Sequence, residues 1–205
     1  MIDSHAHLFL CSEEPATILD RAKAVGLTHI INIGINFKTS KECYELSQKL
    51  PIVLPTAGIH PCEEHLEKEL KSLKQLLQEK EFNAIGETGI DYHHQINPRD
   101  IQKNAFREHL EMAKEHRLPV VVHNRKADED IIKISNEYPE IKKVFHCFSS
   151  GPATVAALEN PNHYFSFTAN ITYAKKGKTI NSLKQIPIEK ILLETDSPYI
   201  SPIQK

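Results

Sequence analysis

Residues 118–146 read LPVVVHNRKADEDIIKISNEYPEIKKVFH. Two short apolar runs, Pro119–His123 and Lys143–His146, each close on a histidine, and the more polar stretch Ala127–Tyr138 lies between them. β-Branched residues in runs this short favour strands, and the intervening segment has room for one helix. A strand–helix–strand unit of about 30 residues is the building block of a parallel sheet.

The same pattern extends in both directions. Further strands are expected at Met1–Ser4, His29–Gly34, Ile52–Ala57, Asn83–Gly86, His163–Thr168 and Lys190–Glu194. Helices are expected at Glu13–Val25, Lys38–Lys49, Glu63–Lys80, Arg99–His116, Pro152–Glu159 and Gly177–Gln185. Leu66, Leu70, Leu73 and Leu77 recur at helical spacing in one of these segments, and Phe106, Leu110 and Ala113 in another, so each has an apolar stripe. Strands alternating with helices predict an α/β fold, a closed (β/α)8 TIM barrel formed as one domain by residues 1–205.

Composition narrows the function classes. The 205-residue chain is 40% hydrophobic and 25% charged, with a formal net charge of −2. No global basic field draws in a polyanion, so any such contact needs a local patch or bound metal. Cys11, Cys43, Cys62 and Cys147 show no CxxC pairing, and free thiols are expected. The chain starts on a strand rather than a leader, and no apolar run nears the roughly 20 residues of a membrane helix. A cytoplasmic protein without membrane contact is expected.

The strand ends carry the chemistry. His5 and His7 close MIDSHAH, Glu87 follows NAIG, and His123 and His146 close their runs; Asp196 ends ILLETD. His5 and His7, two apart, share one face of a strand. A single histidine at a strand end is more often packed than liganding, and HxH arises easily by chance. Imidazoles and carboxylates converging from five strands are different, because burying them together without a cation is costly. Six ligands exceed the three of a single open zinc site and fit two ions with Glu87 between them. Mixed nitrogen and oxygen ligation suits zinc, manganese, iron or nickel. Two-ion hydrolytic sites activate water and clamp substrate oxygens.

MIDSHAH, GIHP, GETGIDY, VVVHNRKA, HCFSS and LLETDSPYISP, in this order, closely resemble the TatD-type metal-dependent deoxyribonucleases of the amidohydrolase-like barrels. The resemblance runs from residue 1 to about residue 203. It implies hydrolysis of DNA phosphodiesters at a site holding two divalent ions (Zn, Mn or Mg), with His5, His7, Glu87, His123, His146 and Asp196 as ligands. It also implies that His60 of GIHP contacts a substrate phosphate and that Arg125 lies near the rim.

Two departures from the family pattern stand out. The usual helix after the TDSP motif has no counterpart in SPYISPIQK, so the barrel is read as truncated after strand eight. Alternation turns Ile2, Ile191 and Leu193 outward there, and leaving them wet costs roughly 25 cal/mol per Å². A second subunit covering the strand 8/strand 1 edge, a marginally stable domain and a truncated product are the three readings. The second departure is Ser150, where the family commonly has glycine. Because glycine permits positive φ, the loop after strand six is expected to differ.

Among the remaining residues, Pro61 should keep His60 extended at the end of strand three. Asp91 either orients a histidine ligand or caps a turn. Glu194 positions a ligand or Arg125, or forms an ion pair, and Asp3 satisfies barrel-interior donors. Tyr92 could stack a base. Lys175, Lys176 and Lys178 could contact the phosphate backbone near Asn170 and Tyr173. Cys147 should face away from the metal as a core residue.

The reading is a hydrolase that cleaves DNA, single-stranded or at ends, an exonuclease being one form, through a two-metal-activated water. In it Asp196 accepts the proton, with His60 and Glu87 as the other catalytic residues. The rivals are a two-metal enzyme acting on a small ester, lactone, amide or phosphotriester, and a truncated non-catalytic binding partner.

Overall fold

The computed structural model describes residues 1–172 and 177–201. Eight strands form one parallel sheet in sequence order: β1 (Ile2–Ala6), β2 (His29–Asn32), β3 (Val53–Ala57), β4 (Ala84–Asp91), β5 (Val120–Arg125), β6 (Lys143–Phe145), β7 (His163–Phe167) and β8 (Ile191–Leu193). Seven α-helices are interleaved among the described residues: α1 (Pro15–Ala24), α2 (Phe37–Lys49), α3 (Leu66–Glu79), α4 (Arg99–His116), α5 (Asp128–Glu137), α6 (Pro152–Ala157) and α7 (Lys178–Leu183). Each expected strand and helix is present, and the architecture is the nearly closed (β/α)8 barrel that their alternation implies.

Local sequence explains several boundaries. Pro15 and Pro152 sit at the starts of α1 and α6, where a missing N–H costs nothing. Asn36 caps α2 by accepting from the Thr39 N–H, and the Thr39 hydroxyl accepts from the Asn36 N–H in return. On α3, Leu66, Leu70, Leu73, Leu76 and Leu77 are all buried. Each is worth roughly 1.5–3 kcal/mol of burial.

The first and last strands are stitched side chain to backbone. Asp3 accepts from the Thr195 N–H at 3.0 Å and the Thr195 hydroxyl at 2.7 Å, while Ser4 Oγ donates to the Leu193 carbonyl. Asp3 is thus a structural acceptor, as expected. Beyond β8 the backbone still runs beside β1, with the Asp196 N–H donating to the His5 carbonyl and the His7 N–H to that of Ser197. This carries Asp196 onto the same rim as the histidine pair. Ile2 and Leu193 on the outer side are 50% and 56% exposed. Ile191 differs from expectation: it is half-buried against the main core, whose side chains it reaches from β8.

Among the described residues, no helix is long and apolar enough to cross a membrane. The four cysteines are free thiols.

Candidate metal centre

β4 places the central carboxylate. Gly86 and Gly89 flank Glu87 at φ +136° and +141°, and a Cβ on Gly89 would lie 2.0 Å from the His123 carbonyl oxygen. A side chain at Gly86 would meet the Val121 carbonyl oxygen at 2.6 Å. Only glycine lets β4 press this closely on β5, so the GETG motif is a backbone requirement around the carboxylate.

The two oxygens of Glu87 face different partners. Oε2 lies 3.4 Å from His5 Nε2 and 3.7 Å from His7 Nε2, both of which are 3.5 Å from Asp196 Oδ1. Oε1 lies 2.7 Å from His146 Nε2, 3.0 Å from His123 Nδ1 and 3.5 Å from His60 Nε2. All six expected ligands and His60 therefore meet around one buried carboxylate. Two of the resulting donor groups, His5–His7–Glu87 and His60–Glu87–His123, are close enough to hold a cation each.

Hydrogen bonds outside the cluster orient the lone pairs. His7 Nδ1 lies 3.0 Å from the Ile33 carbonyl, which only accepts, so Nδ1 carries the proton and the Nε2 lone pair points into the cluster. His123 Nε2 likewise donates to Asp91 Oδ2 at 3.1 Å, so Nδ1 is the nitrogen turned toward Glu87 and available to a cation that replaces its proton. His5 Nε2 and His7 Nε2 face each other at 3.2 Å. Lone pairs converging from imidazoles and carboxylates are the donor set a divalent cation takes, so the residues fit the metal ions.

Electrostatics agree. Burial pushes the Glu87 carboxyl up, but His146, His60 and His123 outweigh it and hold it well below the usual carboxylate range. Burial opposes protonation of His146, yet Glu87 and Glu194 raise its pKa well above normal; His123 is raised by Asp91 and Glu87 against the same burial. For His5 burial wins and its pKa is lowered, as it is for His60, pushed down to about 3. The carboxylates thus favour protons on His146 and His123, which a bound cation would displace to take the lone pairs.

The supporting residues resolve several open choices. Asp91 does both jobs: Oδ1 accepts the N–H groups of His93 and His94, and Oδ2 holds His123. Glu194 backs His146 at 3.7 Å while accepting from the Cys147 N–H and Ser166 Oγ, so it serves a histidine of the cluster. His60 sits in the loop beyond β3, which ends at Ala57, rather than at the strand end, because its N–H bonds to the Ile35 carbonyl. Cys147 is a correction. Strand alternation stops at Phe145, Cys147 takes φ +43°, and it lines the cavity over the centre instead of the opposite face. At Ser150 no positive φ is used; its hydroxyl instead donates to Asp128 Oδ1 at 2.7 Å.

That cavity, about 750 Å³, is lined by His123, His146 and Asp196 together with Tyr92, Arg99, Arg125, Lys126 and Lys178. Arg125 is exposed at the end of β5. The Arg99 guanidinium lies 4.3 Å from the Tyr92 ring centre, and Tyr92 donates to Asp130, so one face of that ring is already covered. Lys175, Lys176 and Tyr173 lie outside the described residues. The sequence reading missed Arg99 and Asp128. Asp128, at the start of α5, ties together Asn124 of β5, Ser150 of the loop after β6 and Thr154 of α6, and carries no motif signal.

A (β/α)8 barrel with a histidine–carboxylate cluster at the C-terminal ends of its strands defines a metal-dependent hydrolase of the amidohydrolase-like type. The chain belongs to the TatD-related DNase family, whose model matches residues 2–205. It is 32% identical to the uncharacterized metal-dependent hydrolase YabD of Bacillus subtilis, over 98% of this chain and 82% of that one. It is 33% identical to the human 3'-5' RNA nuclease TATDN2 over 82% of this chain but 23% of that protein. The crystal structure of the TatD homolog YJJV from Escherichia coli superposes with TM-score 0.91 at 24% identity, covering 99% of this chain and 81% of that one.

Proposed function

We propose that this metal-dependent hydrolase cleaves phosphodiester bonds of DNA with two divalent ions, zinc, manganese or magnesium. The observation that carries the reading is Glu87, whose two carboxylate oxygens face two separate groups of donors. His5, His7, Asp196 and Glu87 Oε2 would hold one ion; His123, His146 and Glu87 Oε1 would hold the other. Bound there, the pair supplies Lewis acidity that activates water and neutralises phosphate charge.

The chain's own residues do the rest. Asp196 borders both the cluster and the open cavity, which suits it to take the proton from the attacking water. His60 is kept neutral by burial and holds its Nδ1 lone pair on the Cys62 N–H, leaving Nε2–H to donate to a phosphate oxygen. Arg125 and Lys178 line the cavity as cations for flanking phosphates; Lys175, outside the described residues, is a further candidate on sequence alone. Tyr92 offers its uncovered face to a base. The family and the human RNA nuclease among its relatives support a nucleic-acid substrate.

One observation favours a small uncharged ester instead: Asp128, Glu129 and Asp130 line the same cavity and would repel a polyanion. The deciding experiment measures metal per chain and cleavage of single-stranded DNA beside an ester and lactone panel. His5→Ala/Asp196→Ala is the control. Near two ions with DNA cleavage, both lost in the variant, is the expected result. Two ions with ester turnover alone moves the assignment to a small-substrate hydrolase.

A further inference from the structure

A second group of soft and hard donors lies just outside the histidine–carboxylate centre. Cys62, in the loop after β3, Asp91, at the end of β4, and His94, in the loop after β4, bring a sulfur, a carboxylate oxygen and an imidazole nitrogen within 4.8 Å of one another. None of the three belongs to the ligand set described above.

We propose that Cys62, Asp91 and His94 form a third cation site, selective for a thiophilic divalent ion of the zinc type, that shares Asp91 with the main centre. Zinc bonds of about 2.3 Å to sulfur and about 2.0–2.1 Å to nitrogen and oxygen require tetrahedral ligand edges of roughly 3.3–3.6 Å. His94 Nδ1 already sits 2.8 Å from Asp91 Oδ2, so that edge opens by only about half an ångström to admit an ion. Asp91 Oδ1 stays on the backbone N–H groups of His93 and His94, which fixes the carboxylate while Oδ2 turns to the ion. His94 is exposed, leaving a route from solvent and room for a fourth, exchangeable ligand.

The proton balance is simple. The Cys62 thiol, its pKa pushed up to about 12 by burial and by Asp91, is neutral without a cation. Binding releases that proton as the sulfur–metal bond forms. His94 moves its proton from Nδ1 to the solvent-facing Nε2, with no net change. The thiolate sets the preference, since magnesium and calcium favour oxygen ligands. Asp91 Oδ2 also holds His123 Nε2, so an ion here draws on the carboxylate that orients a histidine of the main centre. The site stands whether or not that centre cleaves nucleic acid.

Cobalt(II), titrated into the intact reduced chain, tests it, because a thiolate–cobalt bond gives a near-ultraviolet charge-transfer band that nitrogen and oxygen ligands do not. The expected result is a band saturating at about one thiolate per chain, undiminished by excess magnesium. It is absent in Cys62→Ser, needs at least tenfold more cobalt in His94→Ala, and persists in Cys147→Ser. Cys147 is the thiol beside the main centre, so a band lost with Cys147→Ser and kept in Cys62→Ser overturns the proposal. No band in folded wild-type protein overturns it too. If Cys62→Ser does not fold, the exposed His94→Ala decides, and unchanged cobalt affinity there overturns the site.

Discussion

Asp91 Oδ2 accepts a hydrogen bond from His123 Nε2 at 3.1 Å, and this one contact determines which nitrogen of His123 looks into the metal centre. With Nε2 held on Asp91, Nδ1 is the nitrogen that faces Glu87 Oε1 and His146. An asparagine at position 91 keeps the shape but removes the charge that fixes this orientation. Asp91→Asn is expected to weaken binding at the His123 side about 10–100-fold. Metal per chain, measured after dialysis against graded chelator buffers, should fall by about one ion. Retention of the full metal content would show that His123 needs no such partner.

Glu87 has a different failure mode. Its carboxylate lies between the two clusters of donors, and one oxygen faces each. Glu87→Gln offers one carbonyl oxygen and an amide nitrogen with no lone pair for a cation. Metal content is expected to drop at both positions together, with activity lost in the same titration. Stepwise loss, one ion at unchanged affinity, would mean the two positions do not share this residue.

Much of this was legible from the residues because barrel strands convert sequence position into place. All strands run the same way, so histidines and carboxylates near their C-terminal ends had to meet at one rim. Glu87 nonetheless lies inside β4, which runs on to Asp91, and Asp196 lies past β8. The reading failed where local backbone left that rule. Cys147 lies one residue past His146, yet its positive φ turns it back toward the cavity. His60 reaches Glu87 from a loop, not from a strand end. Arg99 was hidden because a helix start carries no period-two signal, although it is brought beside Tyr92 by the β4–α4 turn. The tight β4–β5 approach at Gly89 is a contact between distant segments, which no local pattern announces.

Stability should depend on pH through groups remote from the metal centre. Burial pushes His109 and His163 down to about 4, and His109 Nε2 accepts from the Ile59 N–H, a bond that protonation destroys. From the usual histidine range down to about pH 4, the unfolded chain binds protons that the native state refuses. Stability therefore falls as pH falls through that window, by at most about 1.4 kcal/mol per pH unit for each histidine. Lys143, pushed down to about 8 by burial, acts in the same direction at higher pH. From pH 8 up to its usual range the native amine sheds its proton first, so its contribution to stability rises with pH. Urea unfolding across pH 4–10 checks both limbs. His109→Gln should flatten the acid limb and leave the alkaline one intact.

Phosphate contacts predict a salt signature. Arg125, which is exposed, and Lys178 both line the cavity, and among the described residues no hydrogen bond or ion pair joins either to Glu87 or the histidines clustered around it. If both cations meet phosphates of a bound strand, each releases condensed counterions. The slope of log affinity against log salt should then shrink by roughly 0.7 for each lysine or arginine removed from a single strand. Arg125→Ala with Lys178→Ala is expected to weaken binding of single-stranded DNA at low salt, with metal content unchanged. Fluorescence anisotropy in calcium, chosen to slow cleavage, measures the slope directly. A double variant with the wild-type slope would mean the DNA path avoids this wall, and the lysines just upstream of α7 become the next to test.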